Sequence, residues 1–300
     1  MKKYDASILL AGCLWGVIGV FTRNLASFGL TSAGVLIVRS GGCAVLFSLW
    51  ALVKDPRLFR VRLRDLWLFF CFGVLSTFFF TFCYYRSIEL GSLSAACTLM
   101  YSAPVFVMII SLFAFGERFS RRKLIALVCA VVGCTLVSGV LEGDSRLSTA
   151  GVVYGLLAGV GYACYSVCIK ALSNRGCDTL TINVYGWILC TATGIAVWGL
   201  SPAAPSFTNG ASVALTVGLI VVSGFLPALF YSLGLKGEEA GRGAVMASVE
   251  PVVASLAGFV VFGEAPTALG VAGVVLVLAA VALLNIGNPA KNVDLSGENS

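Results

Sequence analysis

The sequence lacks histidine altogether, and only 11% of its 300 residues are charged. The first absence removes the commonest metal ligand and the commonest general base. The second separates the chain from soluble domains, in which about 25% of residues are charged. No Cys-x-x-Cys pair occurs among the 11 cysteines, which are scattered singly through apolar runs. That spacing excludes a disulfide or metal framework and leaves the cysteines as small apolar fillers. No acidic pair at helical spacing lies inside an apolar run either. Together these absences argue against an enzyme, a catalytic residue, a bound metal or a cofactor. What is abundant is apolar surface, at 59% of residues. One water-soluble core cannot hide that much, so the chain belongs in a lipid bilayer. The net charge of +6 does not point to nucleic acid, because the basic residues sit between the apolar runs.

The N-terminus, Met1-Lys2-Lys3 followed by Ile8 to Cys13, looks at first like a cleaved lipoprotein leader. The apolar stretch before Cys13 is shorter than a signal core of about 7–15 residues, and it continues past Cys13 to Phe21. It therefore reads as a retained first span. A span needs about 20 mostly apolar residues. Ten are expected: Ala6–Leu25, Thr31–Val53, Leu66–Tyr85, Ser92–Phe115, Leu124–Val140, Ala150–Leu172, Leu180–Leu200, Val213–Leu235, Ala240–Phe262 and Ala268–Ile286. The connections are short, and residues 289–300 form a polar tail. With the N-terminus placed in the cytoplasm, sixteen of the 20 basic residues fall on the cytoplasmic side. Only Arg23, Arg86 and Arg146 fall outside, and Arg39 lies within the second span. Basic residues favour the cytoplasmic side, so both termini are expected there, in the inner or plasma membrane of the cell.

Pro104 and Pro251 interrupt the fourth and ninth spans, and each is followed thirteen residues later by a glutamate, Glu117 and Glu264. The two copies are 147 residues apart. That single shift also places Leu10-Ala11-Gly12 on Leu157-Ala158-Gly159, Trp15 on Tyr162, Arg23 on Lys170, and Tyr84 on Tyr231. One ungapped register for all these landmarks marks an internal repeat. Each half holds five spans. Five is odd, so the second half enters the membrane from the opposite side. The expected fold is all-α: a polytopic membrane protein of ten transmembrane helices in two inverted five-helix repeats. Two inverted copies can exchange conformations, which gives inward-open and outward-open states. A sensor would need a sizeable soluble domain, and the short connections leave no room for one.

Trp15-Gly16 in the first span, Arg39 in the second, and the matched proline–glutamate pattern in spans four and nine resemble the EamA family of the drug/metabolite transporter superfamily. The resemblance covers residues 6–286, with repeats at 1–141 and 148–288. It implies secondary transport of a small metabolite, most often export, commonly of amino acids or related compounds. It also implies a central cavity lined by spans one, three and four with their mates six, eight and nine. A facilitative importer or an exchanger of another metabolite is the alternative; a membrane enzyme is a remote one. One departure is that Gly186 stands where the repeat register calls for a second Arg39.

Glu250, beside Pro251 at the centre of span nine, is the foremost candidate residue. An acidic group at mid-membrane costs at least about 2.5 kcal/mol, so it faces a cavity or a partner. It could exchange a proton during transport or hold a substrate ammonium; the bland alternative is a protonated carboxyl that joins two helices. Arg39 lies at a nearby depth and could neutralise Glu250 or bind a substrate carboxylate, although a structural role is favoured. Pro104 and Pro251 are candidate hinges. Glu117 and Glu264 end their spans on opposite faces and read as interfacial anchors or as hydrogen-bond acceptors that organise the adjoining loops, rather than as coupling groups. Trp15, Tyr101, Tyr162 and Tyr165 are candidate substrate contacts, against the commoner role of packing helices. Gly12 with Gly16, and Gly155 with Gly159, are spaced for close helix packing.

Overall fold

The computed structural model describes residues 3–90, 93–118, 120–141, 148–199 and 209–285. The expected tail 289–300, together with Lys2, Arg146 and Lys291, lies outside the described residues. The first repeat runs α1 (Lys3–Gly16), α2 (Ile18–Ala26), α3 (Ser32–Lys54), α4 (Leu66–Phe70), a π-helical stretch Cys71–Phe78, α5 (Phe79–Glu89), α6 (Leu93–Met100), α7 (Ala103–Phe115) and α8 (Arg121–Val137). The second runs α9 (Thr149–Asn174), α10 (Thr179–Trp198), α11 (Gly210–Ile220), a π-helical stretch Val221–Phe225, α12 (Leu226–Gly237), α13 (Ala240–Ala247), α14 (Glu250–Phe262) and α15 (Ala268–Asn285). Among the described residues, nine of the resulting rods are long and apolar enough to cross a membrane, and α8 makes the tenth with 17 residues. Its span sits three residues earlier than expected, because the Ser120 hydroxyl accepts from Lys123 N at 3.2 Å and starts the helix at Arg121.

Polar caps start four other helices in the same way. Thr31, Ser148, Asp178 and Asn209 each accept from a backbone N–H one turn into α3, α9, α10 and α11. The apolar outer faces look toward lipid: Val53 is 87% exposed and Phe113 82%.

Packing between helices follows the repeat. α3 lies on α10, and α8 on α15, each the mate of the other. α1 lies on α12 while α5 lies on α9, so spans one and eight exchange with spans six and three. This set of pairings maps onto itself when the halves are swapped, as a two-fold axis requires. The α8–α15 pair is close because both sides are small. A Cβ on Gly133 would lie 2.8 Å from the Gly273 carbonyl oxygen, and one on Gly273 2.6 Å from the Gly133 carbonyl oxygen.

The proline breaks fall in identical register. α6 ends at Met100 and α7 resumes at Ala103; α13 ends at Ala247 and α14 resumes at Glu250. Both prolines are buried at the start of the resumed helix, where a missing N–H costs least. Two further irregularities, the π-helical stretches of spans three and eight, were not anticipated. In span eight, Pro227 lies two residues beyond the stretch and supplies a cause, since its ring cannot sit over a regular preceding turn. In span three no proline is present; there Ser76 and Thr77 donate to the Cys71 and Phe72 carbonyls at 2.9 and 2.8 Å, five residues back.

Candidate substrate-binding site

The two small-residue pairs bring the first span of each half against the proline break of the other. A Cβ on Gly12 would meet the Ala247 carbonyl oxygen at 2.9 Å, and one on Gly16 the Glu250 carbonyl oxygen at 2.6 Å. In the mate position, a Cβ on Gly159 would lie 3.2 Å from the Leu99 carbonyl oxygen and 3.4 Å from that of Met100. Trp15 on α1 and Tyr162 on α9 are thereby carried to the middle of the molecule. Their rings meet edge-on at 6.3 Å, so these repeat mates face each other across the pseudo-two-fold axis.

An aromatic cluster grows from that pair. Trp15 also touches Tyr165 at 6.3 Å and Tyr231 at 5.2 Å, and Tyr162 stacks on Phe80 at 5.4 Å. Phe72 closes the far side against Tyr165 at 5.1 Å. Tyr231 is anchored by the Ser166 hydroxyl at 2.7 Å. The Tyr165 hydroxyl is buried with no hydrogen-bond partner among the described residues. A buried hydroxyl without a partner is costly, by about 1–3 kcal/mol.

Glu250 is the first residue of α14 and is half-buried. Its backbone carbonyl lies against Gly16, next to Trp15, and Val252 two residues on packs in one cluster with Tyr84, Tyr101 and Tyr162, which sets the start of α14 on the rim of the aromatic cluster. Tyr101, almost fully buried, stands at the opposite break, between α6 and α7. Among the described residues no ion pair within 4.0 Å joins Arg39 to Glu250. The Arg39 guanidinium instead lies 5.7 Å from the centre of the Trp187 ring, held on α10 of the other half. The missing second arginine also has a packing cause. A side chain at Gly186 would run into the Phe72 ring, so the position that mirrors Arg39 has no room for one.

The two helix-end glutamates do different things. Gly116 and Gly263 end α7 and α14 at φ 65° and 70°, a left-handed turn that glycine adopts without strain. Beyond that turn, Glu117 accepts from Ala240 N at 2.8 Å and Gly241 N at 3.2 Å, capping α13 of the other repeat. Glu264 instead pairs with Arg23 at 2.8 Å, both groups being about half exposed.

A family model described as the EamA-like transporter family matches residues 2–139 and again 149–286. The chain belongs to the EamA-like transporter family. This EamA-like chain is 29% identical over 282 residues to an uncharacterized transporter of Archaeoglobus fulgidus, covering 94% of this chain and 96% of that one. It is 27% identical over 284 residues to the pseudopaline exporter CntI of Pseudomonas aeruginosa, covering 92% and 96%. A crystal structure of a protein 17% identical to it superposes with a TM-score of 0.79 over 93% of this chain and 95% of the other, a likeness of fold. The family is one of transporters rather than enzymes, and its members act on small molecules from within the bilayer.

Three features of this EamA-like transporter escaped the sequence. Tyr84 and Tyr231 join the central cluster; they are repeat mates, and their shared register was the signal. The third is a buried charge network on the face that bears the N-terminus. Arg242 reaches Asp5 at 3.0 Å and Glu238 at 3.4 Å, with all three side chains no more than 6% exposed. Beside it, Lys170 donates to the Leu235 and Glu238 carbonyls at 3.0 and 2.7 Å, and Lys123 pairs with Glu239. Asp5 in a helix of the first repeat, with Glu238 and Arg242 one turn apart in the second, was the available sign.

Proposed function

We propose that the protein exports a small amphipathic metabolite, an amino acid or a related compound, by proton-coupled alternating access. It does so from the cell membrane, with both termini in the cytoplasm. The observation that carries this reading is Glu250, a carboxylate at a helix break in mid-membrane, set on the rim of an aromatic cluster and left without a salt-bridge partner within 4.0 Å among the described residues.

An unpaired carboxylate beside aromatic faces suits a cationic amine, which gains from the charge and from the ring quadrupoles together. Trp15 and Tyr162 offer apolar area, and the Tyr165 hydroxyl offers a polar handle. A proton and an ammonium compete for the same carboxylate. Facing outward, Glu250 takes a proton and releases the amine; facing inward, it loses the proton and binds the next amine. Competition at one site is enough to exchange protons for substrate. The relative named as a pseudopaline exporter supports the outward direction.

Pro104 and Pro251 are the hinges of the cycle in this reading, with the first span of each half riding on the other half's break. Glu117 and the Asp5–Arg242–Glu238 network close the cytoplasmic gate, and Arg23–Glu264 is the weaker outer latch. The test is uptake of a panel of radiolabelled amino acids and related amines into inside-out vesicles, with an acidic lumen and without a gradient. Accumulation driven by the acidic lumen is expected. Transport indifferent to the gradient would instead favour a facilitator, and failure of every amphipathic solute would remove the proposed substrate class.

A further inference from the structure

A second polar site lies on the same face as the N-terminus, away from the aromatic centre. The connection between α3 and α4 and the turn between α9 and α10 meet there around a pocket of about 240 Å³. Arg57, Arg60, Arg62 and Arg175 line it, opposed by Asp65 and Asp178. The two carboxylates are already engaged. Asp65, buried, pairs with Arg175 at 2.7 Å, and Asp178 faces Lys54 at 4.0 Å. Among the described residues the side chains of Arg57, Arg60 and Arg62 have no hydrogen-bond or ion-pair partner. The pocket therefore presents three uncommitted guanidinium groups, each a planar fork suited to phosphate oxygens.

Its walls are ordered. Thr181 donates to the Leu58 carbonyl at 2.8 Å and Tyr185 to the Phe59 carbonyl at 2.6 Å, so the first repeat's loop is fastened to α10 of the second. Its level is that of the lipid headgroups, because it sits just beyond the ends of four spans, at Lys54, Leu66, Asn174 and Thr179. Its outer edge is apolar: Leu63 is 85% exposed and Trp67 56%, with Phe70 one turn further into the membrane. Trp67 also carries the Arg175 guanidinium over its ring at 5.5 Å. A soluble anion would gain nothing from this edge, whereas acyl chains would lie along it.

We propose that this pocket binds the phosphate headgroup of an anionic phospholipid, whose chains run over Leu63, Trp67 and Phe70, and that the bound lipid clamps the two repeats together on this face. Basic pockets between helix ends are where anionic headgroups are held. Cys177, in the pocket wall, is a built-in reporter. Burial raises its thiol pKa and Asp65 adds to the rise, while Arg62 and Arg175 oppose it.

The experiment is native mass spectrometry of the purified full-length chain in detergent. It is titrated with phosphatidylglycerol, with phosphatidylcholine, and with inorganic phosphate. Retention of phosphatidylglycerol alone is expected. The triple variant R57Q/R60Q/R62Q should weaken it at least about tenfold, whereas R118Q/R121Q/K236Q, which removes as much charge from other exposed positions on the same face, should change it less than about twofold. Equal losses in the two triples would mean general surface attraction and would overturn the site. Inorganic phosphate competing as well as the lipid would overturn the lipid assignment. A second readout needs no substitution: alkylation of Cys177, located by peptide mapping, should be slower in phosphatidylglycerol nanodiscs than in phosphatidylcholine ones. Equal rates would contradict the proposal.

Discussion

At the scale of single residues, the side chains of the central cluster differ in whether their polar atoms are paired. Tyr231 has Ser166, and Tyr84 has Cys97 at 2.9 Å. The Tyr165 hydroxyl has no such partner among the described residues, and Glu250 has no ion pair there. Tyr165→Phe should therefore leave thermal stability unchanged or raised, because it deletes an unsatisfied buried group rather than a bond. In the proposed site it should also weaken substrate binding, by about 0.5–1.5 kcal/mol, the worth of one hydrogen bond. Thermal unfolding in detergent and transport KM check the two halves of the expectation; a large fall in stability with normal KM would make Tyr165 a structural residue. Arg39 teaches the opposite lesson. Its depth in the sequence put it near Glu250, but depth fixes only one coordinate. The guanidinium lies over the Trp187 ring across the repeat boundary, and no linear pattern encodes that neighbour.

At the scale of elements, the proline breaks and the small-residue pairs were legible, because each has a local backbone cause. Pro104 and Pro251 sit where a helix must restart. What the sequence hid was the purpose of Gly12, Gly16, Gly155 and Gly159. Spacing alone says that some backbone comes close; only the fold says that it is the other repeat's broken helix. Gly16→Val should clash with the Glu250 carbonyl and Val253 and cost about 1–3 kcal/mol. Gly19→Val, with nothing within 4 Å of its Cβ position, should be nearly silent. Unfolding midpoints of the two variants in one detergent make the comparison, and equal effects would contradict the packing described for Gly16. The π-helical stretches were not legible. Pro227 hinted at one, but Cys71–Phe78 has the composition of any apolar helix, and its irregularity comes from packing and from the Ser76 and Thr77 hydroxyls.

At the scale of the whole molecule, the inverted repeat was readable from one shift of 147, since a two-fold arrangement needs only matching landmarks and an odd number of spans per half. The asymmetry between the two faces was not readable, because it depends on partners hundreds of residues apart. The face with the N-terminus is tied by the buried Asp5–Arg242–Glu238 network and by Glu117 on the start of α13. Among the ion pairs of the described residues, Arg23–Glu264 holds the opposite face, and it is half exposed. Removing one member of a buried network strands a charge and costs about 3–5 kcal/mol, whereas an exposed pair contributes about 0–1 kcal/mol. Asp5→Asn should accordingly destabilise the protein far more than Glu264→Gln. In the proposed cycle it should also expose the N-terminal face, measured as faster backbone hydrogen exchange over α13. Equal stability losses would contradict the asymmetry.

The central claim is that Glu250 couples substrate to protons, and one measurement addresses it directly. Inside-out vesicles carrying Glu250→Gln are given an acidic lumen and a substrate accumulated by the unaltered protein, with folded protein in each preparation matched by monodispersity. The account predicts that the pH gradient no longer drives accumulation in the variant. Full gradient-driven accumulation by Glu250→Gln would contradict it.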